Sequence, residues 1–152
     1  MSIRARIEDA LLLWDAGRLE GAFLIALVAV AATSRRRFSD RKAVGDREAF
    51  VRFVESACTV RISVEYRGEC LPVEQIFYKW FRCQLVHEGG LPPDIEFMSD
   101  AEPGTMTVRA GGAPDFVLKV SHGWFDHMIG AVASAPENAM EFRSLGRLHD
   151  VR

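Results

Sequence analysis

The stretch 19–36, LEGAFLIALVAVAATSRR, is apolar on nearly every side when wound as a helix. A helix keeps such a surface only when neighbours pack it all round, so this segment is expected to be the central strut of a helical fold. Its uncharged run from Gly21 to Ser34 is about six residues short of a bilayer span and is bracketed by Glu20 and Arg35. It therefore reads as a buried core helix, and no membrane association is expected.

Upstream, Ile7, Ala10, Leu11 and Trp14 follow helical spacing, and Asp15-Ala16-Gly17 supplies a stop before the strut. Downstream, Arg35 to Lys42 forms a basic connection, and Asp46-Arg47-Glu48 opens a third helix with Phe50, Val51, Phe53, Val54 and Ala57 inward. From Thr59 the period changes to two, with Val60, Ile62, Val64 and Tyr66 alternating up to Gly68, which predicts a short strand. Pro72 fits the first turn of a fourth helix carrying Val73, Ile76, Phe77, Trp80, Phe81 and Leu85 until Gly89-Gly90.

Beyond Leu91-Pro92-Pro93, three short strands are expected at Ile95-Glu96-Phe97, Met106-Thr107-Val108 and Phe116 to Val120, with turns at Pro103-Gly104 and Gly111-Gly112. They are expected to form one small antiparallel sheet with the strand near Val60. Ser121 is the expected N-cap of a fifth helix with Trp124, Phe125, Met128, Ile129 and Val132, limited by Pro136, and Glu141 to Arg152 reads as a short helix or tail. The fold class is mainly α with a β component, α+β: about five helices and a small antiparallel sheet. A length of 152 residues without repeat or linker predicts one domain, with a helical bundle over 1–90 and a strand-plus-helix elaboration over 91–152.

The net charge of −2 excludes a globally basic nucleic-acid binder, so any polyanion site must be local. Cys58, Cys70 and Cys83 are odd in number and form no CxxC pair, which fits reduced thiols in a cytoplasmic protein better than a disulfide frame or a zinc site. Met1 to Arg6 leads directly into helical sequence, so no leader peptide is expected. His122 and His127 lack the third ligand that zinc requires, and no glycine loop of the phosphate-binding kind is present, so neither metal nor cofactor is expected.

The fourth helix carries the pattern with most chemical content. Arg82 and His87 stand five residues apart just before the glycine break. Histidine exchanges a proton near neutral pH, and arginine holds a fixed charge shaped for phosphate. That pair suits metal-free cleavage of a phosphodiester. The bland reading of the same residues is a histidine closing a helix C-terminus and a solvated arginine on the polar face. A five-residue step turns an ideal helix by about 140°, so the two side chains do not converge by helical geometry alone. Loosening of the last turn would bring them together, as would a symmetric dimer.

The run from Tyr78 to Gly89, YKWFRCQLVHEG, resembles the signature helix of HEPN domains, whose motif is an arginine, four to six residues, then a histidine. The segment from Ala10 to Val30 is similar to the paired N-terminal helices of that superfamily, so the likeness covers the first 90 residues or so. It implies a HEPN-like bundle and a metal-independent endoribonuclease, working as a homodimer, of the kind found in toxin–antitoxin or phage-defence systems with an antitoxin partner. In that reading His87 handles the proton of a ribose 2′-hydroxyl or of the leaving oxygen, Arg82 stabilises the phosphate, and Glu88, Tyr78 and Lys79 support them. Arg35, Arg36, Arg37, Arg41 and Lys42 are candidate contacts to the RNA backbone. Active members often carry a polar residue after the arginine, where this chain has Cys83. The alternative is a HEPN-like binding or dimerisation module without activity.

Overall fold

The computed structural model describes residues 2–111 and 117–143. Helix α1 (Ile3–Asp15) starts at Ser2, whose Oγ accepts the Ala5 N–H at 3.2 Å. It ends at Gly17, which takes the left-handed conformation with φ 73° that the tight reversal into the next helix needs. Helix α2 (Leu19–Arg37) is the predicted strut, and it packs against α1 and, further along, against every other long helix. Helix α3 (Asp46–Ala57) places Asp46 and Glu48 in its first turn, where carboxylates favour the N-terminal end of the helix dipole.

Strands β1 (Ser63–Tyr66) and β2 (Glu69–Pro72) form an antiparallel hairpin with Val64 opposite Leu71. Its two-residue turn is Arg67-Gly68, both at positive φ (51° and 80°), the conformation that matches the twist of hairpin strands. Helix α4 follows as one run in three parts: Val73–Ile76 in α, Phe77–Cys83 in π and Gln84–Glu88 in α. Gly89, at φ 74°, closes it.

Strands β3 (Ile95–Met98), β4 (Val108–Ala110) and β5 (Leu118–Ser121) make a second sheet in the order β3-β5-β4. β5 runs parallel to β3 and antiparallel to β4. Helix α5 (Gly123–Ser134), a 3₁₀ turn (Pro136–Asn138) and helix α6 (Ala139–Phe142) complete the described chain. Phe23 of α2, fully buried, ties the layers together: its ring lies 5.6 Å from Phe77, 5.3 Å from Phe81, 5.3 Å from Phe97 and 6.4 Å from Phe125. The architecture is α+β, helices around α2 with two small sheets at one side.

Several expectations are corrected. The strands do not form one antiparallel sheet: β1 pairs with β2, and the later sheet contains a parallel pair. The first strand begins at Ser63, and Val60 is 66% exposed, so its apolar side chain contributes nothing to the alternating face. Pro72 ends β2 and caps α4 instead of lying in the helix, which its missing N–H permits at a strand end. Ser121 belongs to β5, where its Oγ accepts the Thr107 N–H and donates to the Thr105 carbonyl, both at 2.8 Å. The cap of α5 comes instead from Asp100, whose Oδ1 accepts the Gly123 N–H at 2.7 Å. Only glycine fits position 123, because a Cβ there would lie 2.5 Å from the Thr105 carbonyl oxygen. The expected positions Gly112, Phe116 and the tail beyond Arg143 lie outside the described residues.

Candidate functional site

The apolar positions of α4 fall at Phe77, Phe81 and Leu85, four apart. In an ideal α-helix each such step drifts by about 40°, and the wider π turn over Phe77–Cys83 offsets part of that drift. All three side chains are accordingly buried along one face. The same step aligns Tyr78 with Arg82 on another face, and the Arg82 guanidinium lies over the Tyr78 ring, 5.5 Å from its centroid.

Arg82 and Tyr78 line a pocket of about 240 Å³ together with Arg35 and Arg41. Val28, Ala31 and Ala32 of α2 supply its apolar lining, small enough to leave the recess open. Asp46 is the one carboxylate, so the pocket carries three guanidinium charges against one, a local excess of +2. Arg35 Nε stands 3.4 Å from Asp46 Oδ1, an ion pair that does not make a hydrogen bond, and Arg35 Nη1 donates to the Val44 carbonyl at 3.0 Å. Arg41 is 73% exposed and 3.8 Å from the same carboxylate. Arg82 Nε is buried and has no hydrogen-bond partner. Three guanidiniums with one carboxylate among them give the pocket a net positive charge that favours an anion, while the unpartnered Arg82 Nε itself is turned away from solvent.

The other candidate residues lie elsewhere. His87 and Glu88 are exposed at the end of α4, and among the described residues His87 has no hydrogen bond, ion pair or ring contact. His87 sits in the α part of the helix, so its five-residue offset from Arg82 is not closed by the π turn, which ends at Cys83. Lys79 places its Nζ 4.7 Å from the Trp80 ring centroid, and Lys42 is exposed. Arg36 and Arg37 are already engaged. Arg36 donates to Asn138 Oδ1 at 2.9 Å and Glu141 Oε1 at 2.6 Å, and Arg37 grips Glu137 at 2.7 and 3.1 Å. These two fasten the C-terminal turn to α2 and leave the basic connection represented in the pocket by Arg35 and Arg41.

Two further constellations pair residues that no local pattern connects. Arg67 lies 4.4 Å over Trp80 and 5.1 Å over Tyr66, and its Nε and Nη2 bind Asp94 at 2.8 and 2.9 Å. Tyr66 donates its hydroxyl to Asp94 Oδ1 at 2.8 Å. The Arg67 fork holds the Asp94 carboxyl below its ordinary range, and burial pushes the Tyr66 phenol up. Across α3 and α5, Cys58 Sγ lies 3.6 Å from His127 Nε2, while His122 packs edge-on against Trp14 at 5.2 Å. The two histidines therefore serve different neighbours. Spacing in the sequence offers no signal for either constellation, since the partners are 27, 28 and 69 residues apart.

Among the described residues no helix is long and apolar enough to cross a membrane. Comparison with curated proteins and with solved structures finds no match. A family model described as Rv1289 matches residues 2–144, nearly the whole sequence, and the chain belongs to the Rv1289 family.

Proposed function

We propose that the protein is a metal-independent endoribonuclease of the HEPN type, built on a HEPN-like bundle and completed by a second copy of the chain. The observation that carries this reading is the arginine pocket on α4, in which Arg82 has an unpartnered Nε, on the same helix that presents His87 exposed to water. Arg82, Arg35 and Arg41 would hold the scissile phosphate and its neighbour. The His87 imidazole would take the proton of the ribose 2′-hydroxyl. The 2′ oxygen then attacks phosphorus and the bond to the 5′ oxygen breaks, leaving a cyclic 2′,3′-phosphate and a free 5′-hydroxyl. The helical offset between Arg82 and His87 is the reason a symmetric pair is invoked: each site would take its arginine from one copy and its histidine from the other.

The test is incubation of labelled RNA with the protein in chelator, beside His87→Ala and Arg82→Ala. Each variant is expected to lose about 10²-fold or more of the cleavage rate. A mixture of the two variants is expected to recover up to about a quarter of it, because half the dimers would be mixed and each mixed dimer holds one intact composite site. Cleavage unchanged in both variants would sink the assignment. The second reading is a module that binds RNA without cutting it. It is favoured by the way Arg82 faces a pocket against α2 and Tyr78 while His87 stands apart. Retention of RNA that weakens in Arg82→Ala, with no cleavage by the parent protein, would establish that reading instead.

A further inference from the structure

A separate reactive centre is suggested by the contact between the ends of α3 and α5. Cys58 is the residue that closes α3, and its backbone leaves the helix in an extended conformation (φ −96°, ψ 132°), which turns the half-buried side chain toward α5. His127 is half-buried on α5, its ring held edge-on to Trp124 at 5.8 Å, and its Nε2 reaches the Cys58 sulfur at 3.6 Å. Both groups open to solvent, by different routes. His127 lines a groove of about 460 Å³ between α3 and α5, where Gly130, Ala131 and Ser134 leave room beside Phe53. Cys58 lines an adjoining depression of about 480 Å³ with Arg52 and Arg61, and Ser56 belongs to both.

We propose that Cys58 is a nucleophile and His127 its general base, in a site that takes an activated acyl group, the carbonyl of an ester or thioester. The sulfur forms a bond to the acyl carbon as its proton passes to His127 Nε2. The leaving oxygen or sulfur departs with that proton, and acyl-Cys58 remains. Arg52 and Arg61 at the rim of the depression are already ion-paired, with Glu48 and Glu55, so the step rests on the thiol and the imidazole alone. Burial and the Glu74 charge raise the thiol and burial lowers His127, so the resting pair is a neutral thiol beside a neutral imidazole, and the proton moves only as the bond to the acyl carbon forms. A thiol of higher pKa, once deprotonated, is also the stronger nucleophile.

Cys70 provides an internal reference, since it is exposed and without such a neighbour. The full chain is treated with p-nitrophenyl acetate, and acetylation at each cysteine is followed by peptide mass spectrometry. Cys58, although half-buried, is expected to acetylate about tenfold faster than Cys70 or more, and His127→Gln is expected to abolish the difference while leaving Cys70 and the melting temperature unchanged. Acetylation of Cys58 no faster than Cys70 overturns the proposal, and so does an unchanged Cys58 rate in His127→Gln. Should that variant not fold, the ratio within the parent protein decides. A contact that serves only to join α3 and α5 would lower the melting temperature in His127→Gln and show no preference for Cys58.

Discussion

Arg67 and Arg82 both lie over aromatic rings of the π segment of α4, Trp80 and Tyr78, and their surroundings differ in every other respect. Arg67 is closed: both sides of its fork meet Asp94, a second ring flanks it, and Asp94 also receives the Tyr66 hydroxyl. Arg82 is unpaired: its Nε is buried without a partner, and its neighbours are two more cations and a recess lined by small side chains. The difference separates structural arginines from available ones. Arg36 and Arg37 fall with Arg67, bound to Glu141 and Glu137, while Arg41, 73% exposed, has only a long 3.8 Å contact with Asp46. A basic run in the sequence thus divides by what its side chains have already found.

The sharpest way to break the comparison is to remove the acceptor of the closed set. Asp94→Ala deletes three hydrogen bonds at once and leaves the hydroxyl of Tyr66, a residue only 3% exposed, without its partner. The expected loss is about 2 kcal/mol of unfolding free energy, most of it from the orphaned hydroxyl. Arg67 is 46% exposed, so its ion pair is screened and adds little. Urea titration of the variant measures this directly. A loss no greater than that of a surface substitution would show that the clasp between the hairpin turn and the start of β3 holds nothing together.

The helices were legible in the sequence because their signals are local. Gly17 and Gly89 end α1 and α4 at the stops that the sequence marks, and the apolar surface of residues 19–36 does place α2 at the centre. The hairpin was half visible. Gly68 reads as a terminator, although with Arg67 it forms a turn, and Pro72 conceals β2 by suggesting the helix that begins one residue later. The order β3-β5-β4 was hidden for a different reason: alternation says which face of a strand is apolar and nothing about which strand lies beside it. Arg82 was legible as a residue, but the pocket was not. It depends on the π widening, which arises when α4 keeps Phe77, Phe81 and Leu85 against Phe23 and its neighbours.

Acid titration sharpens the same division by a smaller effect. Glu141 accepts the Arg4 N–H, the Arg36 guanidinium and the Ser2 hydroxyl, and these hold its carboxyl down to about 2 from the ordinary 4.5. Its folded value lies below its unfolded one, so the stability it contributes is complete above pH 4.5 and drains away as pH falls toward 2. Asp94 and Glu137, lowered by Arg67 and Arg37, act in the same sense. The melting temperature of the parent should therefore decline across that window more steeply than that of Glu141→Gln. Parallel slopes would mean that the contacts of Glu141 with α1 and Arg36 do not survive in solution.

The smallest stability effect is expected where the functional one is largest. Arg82→Ala removes a guanidinium whose Nε is unpaired and whose ring contact is at 5.5 Å, and no hydrogen-bond acceptor is orphaned by its loss. The change in unfolding free energy should stay within about 0.5 kcal/mol, the range of substitutions that sever no buried network. The acid limb of the melting curve should match the parent's, since Arg82 holds none of the three lowered carboxylates. If the protein retains RNA as proposed, that retention should weaken uniformly across sequences, and its dependence on salt should lose about one unit of slope, as expected for one phosphate contact removed. A destabilisation comparable to that of Asp94→Ala would place Arg82 among the closed arginines, and the pocket on α4 would then be packing and not a site.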